Sequence, residues 1–326
     1  MVNKKLLITF LAVFMLFLAG CTSETGARKN SYEIGSFNGG DKALSFEFLA
    51  EAPPQVVRDQ SLQPFQVMLK IKNEGEFDIP QDRAYVALTG FRPQDLGLTE
   101  TSKVIPQMNG FKKQGDNVIE GRTQQVVFSN LKYVESVVSG SIPIKIYANV
   151  CYPYETKAFT LLCINGNTVP ALDKRAEICK LDSKREYSNS GAPIHIEDVV
   201  QYPSGSSSMI IQFDIVHVPT SKDANVYASG SIDSKCNIAG NSPSSSDAIL
   251  ARDKVTYKVE TGLPNLNCEA TGTNTNTVIL TNDRFTVTCE QSTAGEAEYE
   301  KPATITLTYD YLDRISKDIL VEHIER

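Results

Sequence analysis

The sequence has no tryptophan and only three histidines in 326 residues. His195, His217 and His323 are too few and too scattered for a histidine-rich metal centre. The cysteines do not supply one either. The shortest gap between successive cysteines is 163 − 151 = 12 residues, far from the Cys-x2–4-Cys spacing of structural zinc sites. There is no Gly-x-x-x-x-Gly-Lys-Ser/Thr phosphate loop, no Gly-x-Ser-x-Gly nucleophile elbow and no His-Glu-x-x-His helix. No Asn-x-Ser/Thr sequon occurs, so N-linked glycan is not expected. Surplus positive charge is also lacking: 32 basic against 39 acidic residues give a net charge of −7. A chain with that balance is a poor candidate for holding nucleic acid by its phosphates. The mean hydropathy is slightly negative, which excludes a polytopic membrane protein. No catalytic residue, metal or cofactor is expected.

What is present begins at the N-terminus. Lys4 and Lys5 precede an apolar run from Leu6 to Leu18, broken only by Thr9, and Leu18-Ala19-Gly20-Cys21 follows. The pattern reads as a secretory signal over residues 1–20. It is short for a spanning helix, which needs roughly 20 apolar residues. Leu-Ala-Gly-Cys resembles the lipobox of prokaryotic lipoproteins. That resemblance implies cleavage before Cys21 and lipidation of its thiol, an acyl anchor that holds the protein to a membrane without crossing it. An uncleaved signal anchor is the alternative. Residues 21–41 are rich in Ser, Thr, Gly, Asn and charge and lack hydrophobic periodicity, so they read as a flexible tether.

Beyond Cys21 there are six cysteines: Cys151, Cys163, Cys179, Cys236, Cys268 and Cys289. An even number behind a secretory signal suggests disulfides in an oxidising, extracytoplasmic compartment. Six cysteines allow 15 connectivities. With three in each half, either one bridge crosses between halves or each half keeps a free thiol. Cys163 with Cys179 and Cys268 with Cys289 are the favoured pairs.

The rest of the chain alternates apolar and polar residues again and again. Leu44, Phe46 and Phe48 alternate, as do Phe65, Val67, Leu69 and Ile71. Later come Ile142, Ile144 and Ile146, then Phe159, Leu161 and Cys163. Ile211, Phe213 and Ile215 repeat the habit, followed by Phe285, Val287 and Cys289, then residues 304–311 and 315–324. Period-two alternation puts one face of each strand in a core. Turn signals such as Asn73-Glu74-Gly75 and Asn109-Gly110 separate the runs. Many short strands so spaced read as sandwiches. Residues 144–164 superpose on 304–324 at an offset of 160, and each reads as a strand, a tight turn and a return strand. The expected fold is all-β: two tandem Ig-like β-sandwich domains over 42–165 and 194–326, joined by a crossing segment at 166–193. Its end, residues 188–193, reads as a hinge.

Some side chains invite chemistry and have a plainer reading. Glu74, Glu76, Asp78 and Asp82 are oxygen donors without calcium-loop spacing, and read as a solvated turn. Tyr147, Tyr152 and Tyr154, with Tyr309 and Tyr311, read as caps on a small β-core, although tyrosines at strand ends also suit a sugar or protein partner.

The stretch 65–75, Phe-Gln-Val-Met-Leu-Lys-Ile-Lys-Asn-Glu-Gly, resembles the early strand and turn of bacterial and archaeal Ig-like surface modules. The run Cys151-Tyr-Pro-Tyr-Glu-Thr-Lys157, with Cys163, Cys179 and Gly191-Ala-Pro193, is similar to uncharacterised Ig-like surface proteins of small-genome archaea. The second half departs from that pattern, with Val218-Pro219-Thr220 where an Asn-x-Gly turn would follow its strand. The resemblance implies archaeal origin, with a bacterial lipoprotein as the alternative. The expected role is a lipid-anchored cell-surface or envelope protein, structural or protein-binding and non-catalytic. Its partners are a membrane through Cys21 and a surface protein or polysaccharide. The alternatives are a subunit or accessory factor of a surface appendage or envelope complex, and an extracytoplasmic hydrolase on a β-sandwich scaffold.

Overall fold

A computed structural model describes residues 37–114, 117–166, 178–238, 250–269 and 272–325. The signal, Cys21 and the tether up to residue 36 lie outside the described residues. The fold is all-β, with nineteen strands and a single 3-10 turn at Pro93–Leu96 among the described residues.

Two 24-residue strands, Ser141–Ile164 and Tyr299–Glu322, pair antiparallel along their whole length, from Tyr299 opposite Ile164 to Glu322 opposite Ser141. Each was expected to be a hairpin with a tight turn; each is one unbroken strand. Pro153 lies inside the first, and the hydrogen-bond parity explains why it does not break the strand. Lys157 N–H donates to Ser190 Oγ and Cys163 N–H to Gln201 Oε1, both away from the long partner. Pro153 shares their parity, so the donor it lacks falls on that same side. There it sits between the segments flanked by neighbouring strands, residues 147–151 and 158–160. A proline is tolerated where no ladder bond is asked of it.

The long pair is the spine of a nine-stranded sheet. Its main order is Thr275–Ile279, Lys254–Glu260, Tyr299–Glu322, Ser141–Ile164, Ala84–Thr89 and Ser102–Ile105. A three-stranded sheet from the first half (Leu44–Phe48, Phe65–Asn73, Thr123–Leu131) packs on it. So does a five-stranded sheet from the second half, centred on Ile194–Ser204, Ser208–His217 and Arg284–Ser292. Val67, Leu69 and Ile71 of one and Ile211, Phe213 and Ile215 of the other join the spine in a shared apolar core. Phe213 meets Tyr257 edge-on with ring centres 6.3 Å apart.

The internal repeat is real in the spine but sits in a different register. Ala84–Thr89 flanks residues 147–151, and Lys254–Glu260 flanks residues 304–308. Both 304 − 147 and 308 − 151 equal 157. At this offset Val150 falls on Leu307, Tyr152 on Tyr309 and Tyr154 on Tyr311, all buried. The offset of 160 differs by an odd number, which in a strand exchanges the two faces. The same error affected one strand segment. Phe159 and Leu161 are half-buried on the outer face, while Ala158, Thr160, Leu162 and Ile164 face the core.

Residues 188–193 are not a free hinge. Tyr187–Asn189 pairs with residues 158–160, Ser190 N–H donates to Lys157 O, and Ala192 is fully buried. The described end of the tether is also bound. Phe37 stacks on Phe159 at 5.4 Å, and Gly40 O accepts from Ala192 N–H.

Three disulfides lock the fold: Cys163–Cys179, Cys268–Cys289 and Cys151–Cys236. The first two are the favoured pairs. The third is the bridge between halves that the odd count allowed. They fit an oxidising compartment outside the cytoplasm.

Candidate functional site

The middle of the spine carries four buried tyrosines. Tyr152 lies opposite Tyr311, and Tyr154 opposite Tyr309. Ring centres of neighbouring members lie 5.8 to 6.4 Å apart, in tilted and edge-on contacts. Alternation aims all four side chains to one face, and each hydroxyl reaches a different packed segment. Tyr154 donates to Gly191 O at 2.9 Å and accepts from Phe77 N–H at 3.4 Å. Tyr152 accepts from Leu44 N–H at 3.5 Å. Thr156 Oγ1 donates to Ile194 O, so the Tyr309 hydroxyl, 3.0 Å away, donates to Thr156. Tyr311 lies 3.3 Å from His217 Nε2 and 3.2 Å from Thr220 Oγ1. Burial pushes all four phenols up, Tyr311 to about 12, so they remain neutral at ordinary pH. Gly75 has no room for a side chain here, because a Cβ would collide with the Tyr154 hydroxyl.

On the opposite face of the same strand stretch lies a cleft of about 140 Å³, lined by Arg83, Tyr85, Tyr152, Pro153, Asp233 and Asp310 among others. Asp310 is 4% exposed although its parity points it away from the core. The segment 228–238 covers it, and Cys236 of that segment is tied to Cys151 of the spine. Asp310 Oδ2 accepts from Ile232 N–H at 3.1 Å. Burial pushes its carboxyl above the usual range, and backbone donors of residues 230–232 together with Arg83 pull it part of the way back. The cleft thus offers a buried acceptor, a guanidinium and a phenol to a small polar group.

A raised carboxyl has a signed consequence. The folded state holds the proton more tightly than the unfolded chain, so stability falls as pH rises from about 4 through the folded value. Asp310→Asn removes this slope. The variant should therefore cost more stability at pH 4 than at pH 7, as read by urea unfolding at both pH values. An equal cost at the two would show that Asp310 titrates normally.

The three histidines are all engaged. His195 Nε2 is 3.1 Å from Gly40 O, where the tether docks. His217 is held by Asp283 at 2.9 Å and touches Tyr311. His323 bonds Asp59 at 2.7 Å. Asp59 is fully buried and also accepts from Val137 and Ile324 N–H. Burial raises its carboxyl, but these hydrogen bonds outweigh burial and hold it below the usual value. A serine or threonine hydroxyl does approach the His217 network, but through Tyr311: Thr220 Oγ1 donates to Asp313, not to the imidazole.

The acidic run is more than a solvated turn. The Glu76 carboxylate accepts from Asn38, Gly39 and Gly191 N–H, joining the tether to the segment after residue 187. Asp78 takes Gly110 N–H and pairs with Lys112, and Glu74 lies 3.5 Å from Lys42. Among the described residues no group of His, Cys, Asp and Glu is arranged to hold a metal ion.

Comparison with known proteins gives no matching family model and no matching curated protein.

Sequence reading missed Asp310. Its signal was a single carboxylate between Tyr309 and Tyr311 inside a strand, where charge is costly unless bonded. The covering segment, which decides its burial, comes from about eighty residues earlier in the chain, as 310 − 232 = 78.

Proposed function

We propose that this is a lipid-anchored cell-surface or envelope protein with a structural or protein-binding role, and that it does no chemistry. The observation that carries this reading is the way its polar side chains are used. His195, His217, His323, Glu76, Asp59 and Asp310 each hold one chain segment to another. A scaffold built this way, closed by three disulfides, suits display outside the cell. The lipid fixes the location, and the sheets present loops, a shallow polar cleft and strand edges.

The anchor is tested by Cys21→Ala. The variant should leave an unlipidated precursor and shift the protein out of the detergent-soluble lipoprotein fraction; unchanged lipid labelling and membrane partition would refute the anchor. A second reading, a subunit of a surface assembly, is favoured by the uncharged outermost strand Thr275–Ile279, because an open edge can pair with another chain. Oligomers of defined size from crosslinked cells would support it over binding of a soluble ligand.

A further inference from the structure

The main path of the nine-stranded sheet ends in two outermost strands, and they differ; the short strands Val56–Arg58, Tyr187–Asn189 and Asn225–Tyr227 attach beside the long pair off this path. Ser102–Ile105 is guarded. Ser102 Oγ donates to Ser234 O, and Lys103 Nζ lies 5.4 Å from the Phe128 ring of the neighbouring sheet. A lysine on an edge is a common block to unwanted pairing. Thr275–Ile279 has the sequence Thr-Asn-Thr-Val-Ile, with no charge and no proline. Among the described residues its ladder partner is Lys254–Glu260 on one side alone. The outermost strands of the five-stranded sheet, Ser183–Lys184 and Leu266–Cys268, are two and three residues long and offer little to pair with.

The direction of the outward backbone groups is fixed by two flanking bonds. Leu280 N–H donates to Asp253 O, and Asn274 O accepts from Val259 N–H. Even-numbered residues of this strand therefore face the sheet. Thr275, Thr277 and Ile279 turn their N–H and C=O outward. Two of the six outward groups have local side-chain partners, contacts a partner strand would displace: Thr277 N–H donates to Asn276 Oδ1 at 2.8 Å, and Thr275 O accepts from Thr273 Oγ1 at 2.8 Å. The side chains of the same three residues are exposed, and Ile279 is 55% exposed.

We propose that Thr275–Ile279 is a self-pairing edge whose partner is the same strand of a second copy of this chain, run antiparallel about a two-fold axis at Thr277. This register places Thr277 opposite Thr277 of the partner and Thr275 opposite Ile279, so every outward-facing group meets another. An antiparallel hydrogen-bonded pair exchanges two bonds, giving about six across the interface. Each Ile279 packs beside a threonine, and the paired threonines suit a cross-strand contact. Any other register leaves outward groups unmatched or sets inward-facing residues opposite them. The pairing fuses two nine-stranded sheets into one and makes a closed dimer, because a two-fold interface uses up the edge that makes it. This deepens the assembly reading above by naming the partner. The two fail separately: the assembly reading is judged by oligomers of the unaltered chain from crosslinked cells, and the edge by whether crosslinking at position 277 depends on Ile279, so oligomers that ignore this edge would sink the edge alone.

The test is Thr277→Cys in the full-length chain, purified in mild detergent and treated with a bis-maleimide of about 8 Å reach, a span that suits the ~5.5 Å Cα separation of such a pair. Most of the protein should move to twice the monomer mass. Val104→Cys on the guarded edge should stay monomeric. Adding Ile279→Lys to Thr277→Cys, which leaves the thiol reachable, should cut the dimer yield at least tenfold. Monomeric Thr277→Cys, equal crosslinking at Val104→Cys, insensitivity to Ile279→Lys, or crosslinking to a different protein would each overturn the proposal.

Discussion

Replacing Cys151 and Cys236 together with serine should lower the stability of the chain by about 4–5 kcal/mol. The bridge spans 85 residues, against 16 for Cys163–Cys179 and 21 for Cys268–Cys289. In the chain-entropy account the gain from a crosslink grows with the logarithm of the loop it closes, giving about 4.6 kcal/mol for the long loop and about 3 for the short ones. The urea midpoint should fall further for this variant than for either of the others. The effect should also be local. Without the bridge the segment 228–238, closed on itself by the isolated pairing of Ile232 with Ile238, is held to the spine by Asp310 and by the strand Asn225–Tyr227 that precedes it. Amide exchange should therefore rise first at residues 230–238, around the cleft. A smaller loss than in the Cys268→Ser, Cys289→Ser variant would show that the unfolded chain keeps residues 151 and 236 close.

Tyr154→Ala should cost about 4 kcal/mol, in the range for emptying a buried aromatic site. Tyr154 is 2% exposed, packs against Phe77, Tyr152 and Tyr309, and bonds Gly191 O and Phe77 N–H. Tyr154→Phe keeps the ring and removes the hydroxyl, leaving Gly191 O without this donor. That should cost about 1–2 kcal/mol. The pair of variants separates ring packing from the hydroxyl clamp. If Phe costs as much as Ala, the clamp dominates and the tyrosine cluster contributes little as packing. Denaturant midpoints of the two variants decide between these accounts.

Alternation made the strands legible. Phe65 to Ile71, Ile211 to Ile215 and Val287 to Cys289 all put the expected side chains inside, because one buried face leaves a period of two in the sequence. The disulfides at Cys163 and Cys268 were legible for a similar reason: their partners are close in the chain. Three things were not. The two long strands were expected to turn back on themselves, and only the ladder, with hydrogen-bond parity at Pro153, shows that each runs on unbroken. The register of the repeat depends on which face is covered, which Phe37 and the segment after residue 187 decide from afar. The Asp310 cleft is assembled from Arg83, residues 230–234 and the spine, so no local stretch contains its pattern. The glutamate at position 76 shows the same limit. Its neighbours in sequence make it look solvated, while its partners are 38 and 115 residues away.

The unbroken ladder of 24 residue pairs also sets a length. At about 3.4 Å per residue it measures roughly 80 Å from tip to tip. Bending it at the centre would mean parting hydrogen bonds and the tyrosine stack together, so the two ends act as points on a stiff ruler. Whatever is gripped at one pole is held at a set distance and rotation from whatever is gripped at the other.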